Sequence, residues 1–171
     1  GTSVGYVKQD KIIDGTKISE RDVLIGLKSS GPHSNGYTLI RKLFDGDKEL
    51  GRKLVEPTRI YVKEVMALIK QVNVHGIAHI TGGGLDNISR INDNFQYLID
   101  NPLPVPAVFD WLQEKGNIEN KEMYRTFNMG MGMVIIVDKD DAEKSVSILG
   151  EYAQIIGTVK SGKGVSHSVI E

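Results

Sequence analysis

Apolar positions in this chain come in short runs divided by glycine-rich turns, and their period changes from run to run. Val23 to Leu27 is rich in β-formers and leads into Ser29-Ser30-Gly31-Pro32-His33-Ser34-Asn35-Gly36, a pattern that predicts a strand followed by a polar loop. Apolar residues return at 39, 40, 43 and 44, one side of a helix over Tyr37 to Phe44 with Ser34 or Asn35 as its N-cap. A second helix is expected from Pro57, because proline is tolerated in a first turn and positions 61, 65, 68, 69 and 72 keep the helical period. Ile77 to Thr81 reads as a buried strand, Gly82-Gly83-Gly84 as a turn and Leu85 to Ile91 as a short helix.

Pro102, Pro104 and Pro106 exclude a central strand and precede a helical stretch from Ala107 to Lys115, closed by Gly116. Further helices are predicted over Asn120 to Thr126 and Asp138 to Leu149, on either side of a buried strand at Met133 to Val137. Gln154 to Lys160 and Val165 to Ile170 read as strands joined by a hairpin-type turn, Ser161-Gly162-Lys163-Gly164. The mixture predicts an α+β or mixed α/β domain whose sheet is partly antiparallel.

Composition narrows what such a domain does. The 171 residues carry 21 Lys+Arg against 22 Asp+Glu, a formal net charge of -1, which gives no broad basic face for nucleic acid or anionic lipid. Met131 to Val137, the longest apolar stretch, is interrupted by Gly132 and falls far short of the ~20 residues of a membrane span. With no cysteine, disulfides, thiolate metal sites and Cys nucleophiles are excluded. The opening Gly1-Thr2-Ser3-Val4-Gly5 lacks the pattern of a signal peptide and reads like a chain entered midway. We expect a single domain over residues 1–171, with no internal repeat or linker.

The candidate chemistry lies in the two loops that follow strands. Glycines at 82, 83 and 84 let backbone N–H groups converge without obstruction from a Cβ, and a following helix would favour an anion there. A tight packed turn is the simpler alternative. Ser30, His33, Ser34, Asn35 and Gly36 offer hydroxyl, amide, imidazole and backbone donors for a phosphoryl or amide group. Gly31 and Gly36 have Walker A spacing, but Tyr37 stands where that motif needs Lys, so an ordinary P-loop is excluded. His79, just before the glycines, is a candidate acid, base or phosphate donor, or else a core histidine. Arg59 is a candidate bidentate phosphate clamp, and Asn128 a polar residue for lining a cleft. His33, His75, His79 and His167 lack metal-site spacing, and no carboxylate pair stands out.

Read together, Ser29 to Tyr37, Pro57-Thr58-Arg59-Ile60-Tyr61-Val62-Lys63, Ala78-His79-Ile80-Thr81-Gly82-Gly83-Gly84-Leu85 and Met123-Tyr124-Arg125-Thr126-Phe127-Asn128-Met129-Gly130 resemble the C-terminal domain of phosphoribosylformylglycinamidine cyclo-ligases, the aminoimidazole ribonucleotide synthetases. The resemblance keeps the order and spacing of four motifs and runs along nearly the whole chain. It implies a three-layer α/β/α domain and a cytoplasmic enzyme of purine biosynthesis. ATP activates the formyl oxygen of formylglycinamidine ribonucleotide, an internal nitrogen attacks, and ADP and phosphate leave as the imidazole closes. It also implies an N-terminal domain, outside this chain, that supplies most of the ATP and Mg²⁺ site and the homodimer interface.

On that resemblance His79 is the catalytic or positioning group, while Ser30, His33, Ser34, Asn35, Gly36, Arg59, Gly82, Gly83, Gly84 and Asn128 face substrate or phosphate. The isolated chain is then expected to fold without turning over. Formylglycinamidine ribonucleotide synthetase, selenophosphate synthetase and thiamine-phosphate kinase are rival readings within the same superfamily, and a non-catalytic phosphate-ligand module is a rival from another class.

Overall fold

The computed structural model describes residues 1–2 and 4–168, and adjacent residues of its central strands go to opposite layers. Six strands, β1 (Val23–Lys28), β2 (Val74–His79), β3 (Phe95–Ile99), β4 (Met131–Val137), β5 (Ala153–Ser161) and β6 (Gly164–His167), form one sheet in the order β2-β4-β1-β5-β3-β6. Every described pairing is antiparallel except β3 with β6. Leu24, Val134 and Ile136 point into one core and Val23, Ile25, Ile135 and Val137 into the other, as the two-residue period of a strand buried on both faces requires.

Helices α1 (Tyr37–Leu43), α2 (Lys48–Leu54), α4 (Ala107–Gly116) and α5 (Asn120–Thr126) cover the first face through Ile40, Leu54, Phe109, Leu112 and Met123. Helices α3 (Val62–Leu68) and α6 (Ala142–Leu149) cover the second through Leu68, Ala142 and Leu149. This is the expected three-layer mixed α/β arrangement. Phe109 and Phe127, both fully buried with ring centroids 5.8 Å apart, anchor the larger core. Such a pair adds about 0.5–1.5 kcal/mol to the burial of its area. Among the described residues no helix is long and apolar enough to cross a membrane.

Several local expectations are corrected. The helix expected from Pro57 begins at Val62, because residues 57–61 are tied to the loop after β1. The Ser30 hydroxyl donates to the Pro57 carbonyl at 2.7 Å and the Tyr61 hydroxyl to the Lys28 carbonyl at 2.9 Å. Neither Ser34 nor Asn35 caps α1. Gly36, in the left-handed region at φ 74°, occupies that place without a side-chain bond. The segment after the glycines is a four-residue 3₁₀ turn, Gly84–Asn87, too short to supply the dipole of a helix. The helix expected from Asp138 divides into a 3₁₀ turn, Lys139–Asp141, and α6, and the Asp138 carboxylate accepts the Asp140 N–H at 2.8 Å.

The C-terminal strands do not form a hairpin. Ser161 of β5 lies opposite Phe95, and Gly164 of β6 lies opposite Gln96 on the other side of β3. Residues 162 and 163 therefore cross the start of β3, which separates the two strands. Of the strand expected to reach Ile170, β6 accounts for residues up to His167, and Val169 and Ile170 lie outside the described residues. Three elements, a 3₁₀ turn at Gln9–Lys11, α2 and β3, have no counterpart among the sequence expectations.

Candidate functional site

Because β1 and β2 both run antiparallel to β4, which lies between them, they point the same way. The loop after β1, the turn after β2 and the approach to β4 consequently meet at one edge of the sheet. Two main-chain bonds fix this convergence: Ser29 N–H donates to the Gly130 carbonyl and Ile80 N–H to the Gly132 carbonyl, each at 2.9 Å. Chain order alone shows none of this.

Three rings stand together here. The centroids of His33, Tyr61 and His79 are 6.0–6.2 Å apart in every pairing. His79 is solvent-exposed although it ends a strand, so it is not a core histidine. His33 is buried at 5% exposure, and burial pushes its pKa down to about 4, assisted by the charges of His79 and Arg59. Burial also raises the Tyr61 hydroxyl, which is held as a donor to Lys28. Gly132 makes the cluster possible: a Cβ there would sit 2.0 Å from Tyr61 Oη and 2.6 Å from His33 Cε1.

Asn35 reaches across from the β1 loop. Its Nδ2 donates to the Thr126 carbonyl, and its Oδ1 lies 3.1 Å from where a Cβ on Gly82 would be. Gly83 and Gly84 have φ of 100° and 57°, values that glycine adopts without strain. Gly84 is buried against the Tyr124 carbonyl, whereas Gly82 is exposed, so the three glycines are not equivalent. Thr81 N–H and Oγ1 both donate to Asn87 Oδ1, at 2.8 and 3.1 Å, and Asn87 Nδ2 returns a bond to the Gly82 carbonyl. This amide braces the turn.

The remaining expected residues separate by geometry. Ser34 is exposed at φ 59° beside Asn35. Ser30 spends its hydroxyl on Pro57. Asn128 is 1% exposed and does not line a cleft: Nδ2 donates to the Gly31 carbonyl at 2.8 Å, and Oδ1 accepts from Gly130 N–H at 2.9 Å. Arg59 is engaged by other side chains, and its guanidinium carbon lies 5.7 Å from the Tyr61 ring centroid. Its guanidinium stacks 3.6 Å from the Tyr152 ring centroid and meets Glu64 at 3.4 Å.

A different cation stands at the turn. Arg90 Nη2 would lie 2.8 Å from a Cβ on Gly83, and Arg90 joins His79, Thr81, Asn87 and Asp14 around an open pocket of about 380 Å³. Neither Asn87 nor Arg90 was singled out in the sequence. The signal was their distance after the glycines, five and eight positions from Gly82, which the 3₁₀ turn folds back over the loop.

The arrangement defines an α/β/α domain that presents a glycine turn, an exposed imidazole, a carboxamide and an arginine along one sheet edge. The family model described as AIR synthase related protein, C-terminal domain, matches residues 20–170, and the chain belongs to that family. Similar solved structures include HypE in complex with ATP, at 17% identity over 95% of this chain and 52% of that one, with TM-score 0.67. Thiamine-monophosphate kinase from Stenotrophomonas maltophilia follows at 15% identity, 95% and 54% coverage and TM-score 0.60. T. maritima PurL complexed with FGAR matches at 15% identity over 91% of this chain and 26% of that one, with TM-score 0.56. The chain thus spans about half of HypE and of the kinase and about a quarter of PurL. At these identities the likeness is one of fold.

Proposed function

We propose that the chain is the C-terminal half of a phosphoribosylformylglycinamidine cyclo-ligase, contributing the substrate-facing loops for ATP-dependent closure of formylglycinamidine ribonucleotide to aminoimidazole ribonucleotide. The observation that carries the reading is the meeting of Asn35 with Gly82, 47 positions apart in sequence. It brings the Ser29–Gly36 and His79–Gly84 motifs, each quoted for its resemblance to this enzyme, to a common edge. ATP in a HypE of the same fold supports ATP-linked chemistry.

In this reading the substrate's 5′-phosphate is held by the N–H groups of Gly82 and Gly83 and by Arg90, whose planar donors suit a phosphate, while the Gly84 N–H is spent on the Thr81 carbonyl at 2.9 Å. Asn35 and Ser34 orient the amidine end through hydrogen bonds. His79, exposed at the strand end, holds or moves the proton released as the ring nitrogen attacks. ATP and Mg²⁺ are contacted chiefly by the family's N-terminal domain. Among the described residues no group of three or more His, Asp or Glu side chains is placed to hold a metal, and no metal step is assigned to this chain.

The test joins this chain to a nucleotide-binding N-terminal half and follows ADP release with formylglycinamidine ribonucleotide, formylglycinamide ribonucleotide, selenide and thiamine phosphate in parallel. Turnover with the first substrate alone is expected, and turnover only with another would overturn the assignment. ADP release by this chain by itself would count against the half-site reading.

A further inference from the structure

The buried imidazole of His33 joins two separate backbone segments at a single atom. Its Nε2 lies 3.0 Å from the Ser30 nitrogen and 3.4 Å from the Arg59 nitrogen, with the N–H of each directed at it. A main-chain N–H only donates, and it cannot rotate its hydrogen away. A proton on Nε2 would therefore face two others. The Ser30 hydroxyl, 3.1 Å from the same atom, does not reverse this conclusion, because it rotates freely and already donates to the Pro57 carbonyl at 2.7 Å.

We propose that His33 is a positioning residue held as the neutral Nδ1–H tautomer, whose bare Nε2 fastens the Ser29–Gly36 loop to the segment before α3 and so sets Ser34 and Asn35 against the glycine turn. The inference deepens the reading of this edge as the substrate-facing site. It concerns the proton on one ring, and its test does not depend on which reaction the enzyme performs.

The surroundings act in the same direction. His79 and Tyr61 flank the ring, and the charge of the Arg59 guanidinium, which is paired with Glu64, acts on it. A positive imidazolium at His33 would face that cation and lose both N–H bonds together. The residue's own backbone is left-handed at φ 52°, a conformation uncommon for a residue with a Cβ and one that turns the ring back toward Ser30. Nδ1 is buried and has no hydrogen-bond partner among the described residues, so the proton held there is an unpaired donor, but its position opposes no other N–H, whereas a proton on Nε2 would face two.

The experiment is long-range ¹H–¹⁵N correlation of the histidine side chains from pH 8 to pH 5, with His33 assigned by its loss in the His33→Ala protein. A single neutral Nδ1–H pattern across the range is expected. An Nε2–H pattern, or an imidazolium appearing near pH 6.5, would overturn the proposal. Amide exchange supplies the second readout. His33→Ala should speed exchange at Ser30 by roughly tenfold or more, as losing one native hydrogen bond implies, and at Arg59 by less. His33→Gln, whose Oε1 can take the place of Nε2, should restore most of the protection. If Gln protects no better than Ala, the ring acts only by filling space and the acceptor role is refuted. If His33→Ala fails to fold, the tautomer of the unsubstituted protein still decides the question, with assignment made through the backbone.

Discussion

The carboxamide of Asn128 donates to the carbonyl of Gly31, 97 positions earlier, at 2.8 Å. Its Oδ1 accepts from Gly130 N–H at 2.9 Å, so one buried side chain locks the approach to β4 against the loop after β1. Removing the side chain strands a buried acceptor and a buried donor, and each such loss costs about 1–3 kcal/mol. Asn128→Ala is expected to lower unfolding stability by about 2–4 kcal/mol in urea titration. A change below about 0.5 kcal/mol, the range of an ordinary surface substitution, would contradict the locking role.

Gly132→Ala tests the packing of the three rings. Its new Cβ would meet Tyr61 Oη at 2.0 Å and His33 Cε1 at 2.6 Å, so one ring must move and the Tyr61 bond to Lys28 is strained. Overpacking of this kind costs about 1–3 kcal/mol. Gly5→Ala, where nothing lies within 4 Å, is the control and should change the thermal midpoint little.

Arg90 and Arg59 should respond in opposite ways. Arg59 stacks on Tyr152 and pairs with Glu64 while partly exposed, contacts that together contribute about 1 kcal/mol at such a site. Arg59→Ala is expected to lower stability by that amount. Arg90 has no ion pair among the described residues. Arg90→Ala should leave the melting temperature unchanged and weaken phosphate-bearing substrate at least tenfold in KM of the reconstituted enzyme. A larger kinetic loss from Arg59→Ala than from Arg90→Ala would reverse the assignment.

Acid should destabilise the fold before most carboxylates protonate. Burial holds His33 near about 4 and also lowers His167, while the unfolded chain titrates both near the ordinary value of 6.5. As pH falls below about 6.5 the unfolded state takes up protons that the native state does not. Stability is therefore full above that pH and declines between about 6.5 and 4. Urea midpoints at pH 7.5, 6.0 and 5.0 should fall in that order, and His33→Gln should flatten the trend. A midpoint that rises on acidification would contradict the direction of both shifts.

A buried pair at the far end of the sheet provides a test of the frame itself. Asp22, 1% exposed, accepts from Ser19 N–H and lies 2.6 Å from His75 Nδ1. Asp22→Ala leaves His75 Nδ1 and the Ser19 N–H without their acceptor inside the protein, and should cost about 1.5–3 kcal/mol as the loss of buried hydrogen bonds to a carboxylate does. Chemical denaturation of the folded fraction measures it. A loss under about 1 kcal/mol would mean that the pair behaves like an exposed one.

Where the apolar period was long and local, the elements were legible in the chain. Val23 to Leu27, Met133 to Val137, Ala107 to Lys115 and Asn120 to Thr126 all lie in the elements expected of them, because a two-sided strand or a core-facing helix writes its burial into neighbouring residues. Pro57 misled for the opposite reason: its residue type suits a helix start, but Ser30 and Tyr61 hold the segment against a loop that is distant in sequence. The missing β3 belongs to the same class. Phe95–Ile99 is five residues long and gains its place from β5 on one side and β6 on the other, whereas the local reading joined those two strands directly.

The sequence by itself determined that Gly82–Gly84 would turn after a strand, that His79 would lie in that strand and that Ser34 and Asn35 would stand in a loop, since residue type and period act over a few neighbouring positions. Only the tertiary structure decided that Asn128 would be a buried tie, that Arg90 would stand at the glycines and Arg59 against Tyr152 and Glu64, and that His33 would be shut between two backbone segments. Those outcomes depend on hydrogen bonds and contacts between residues far apart in the chain, and such pairings exist only once the sheet has set its strand order.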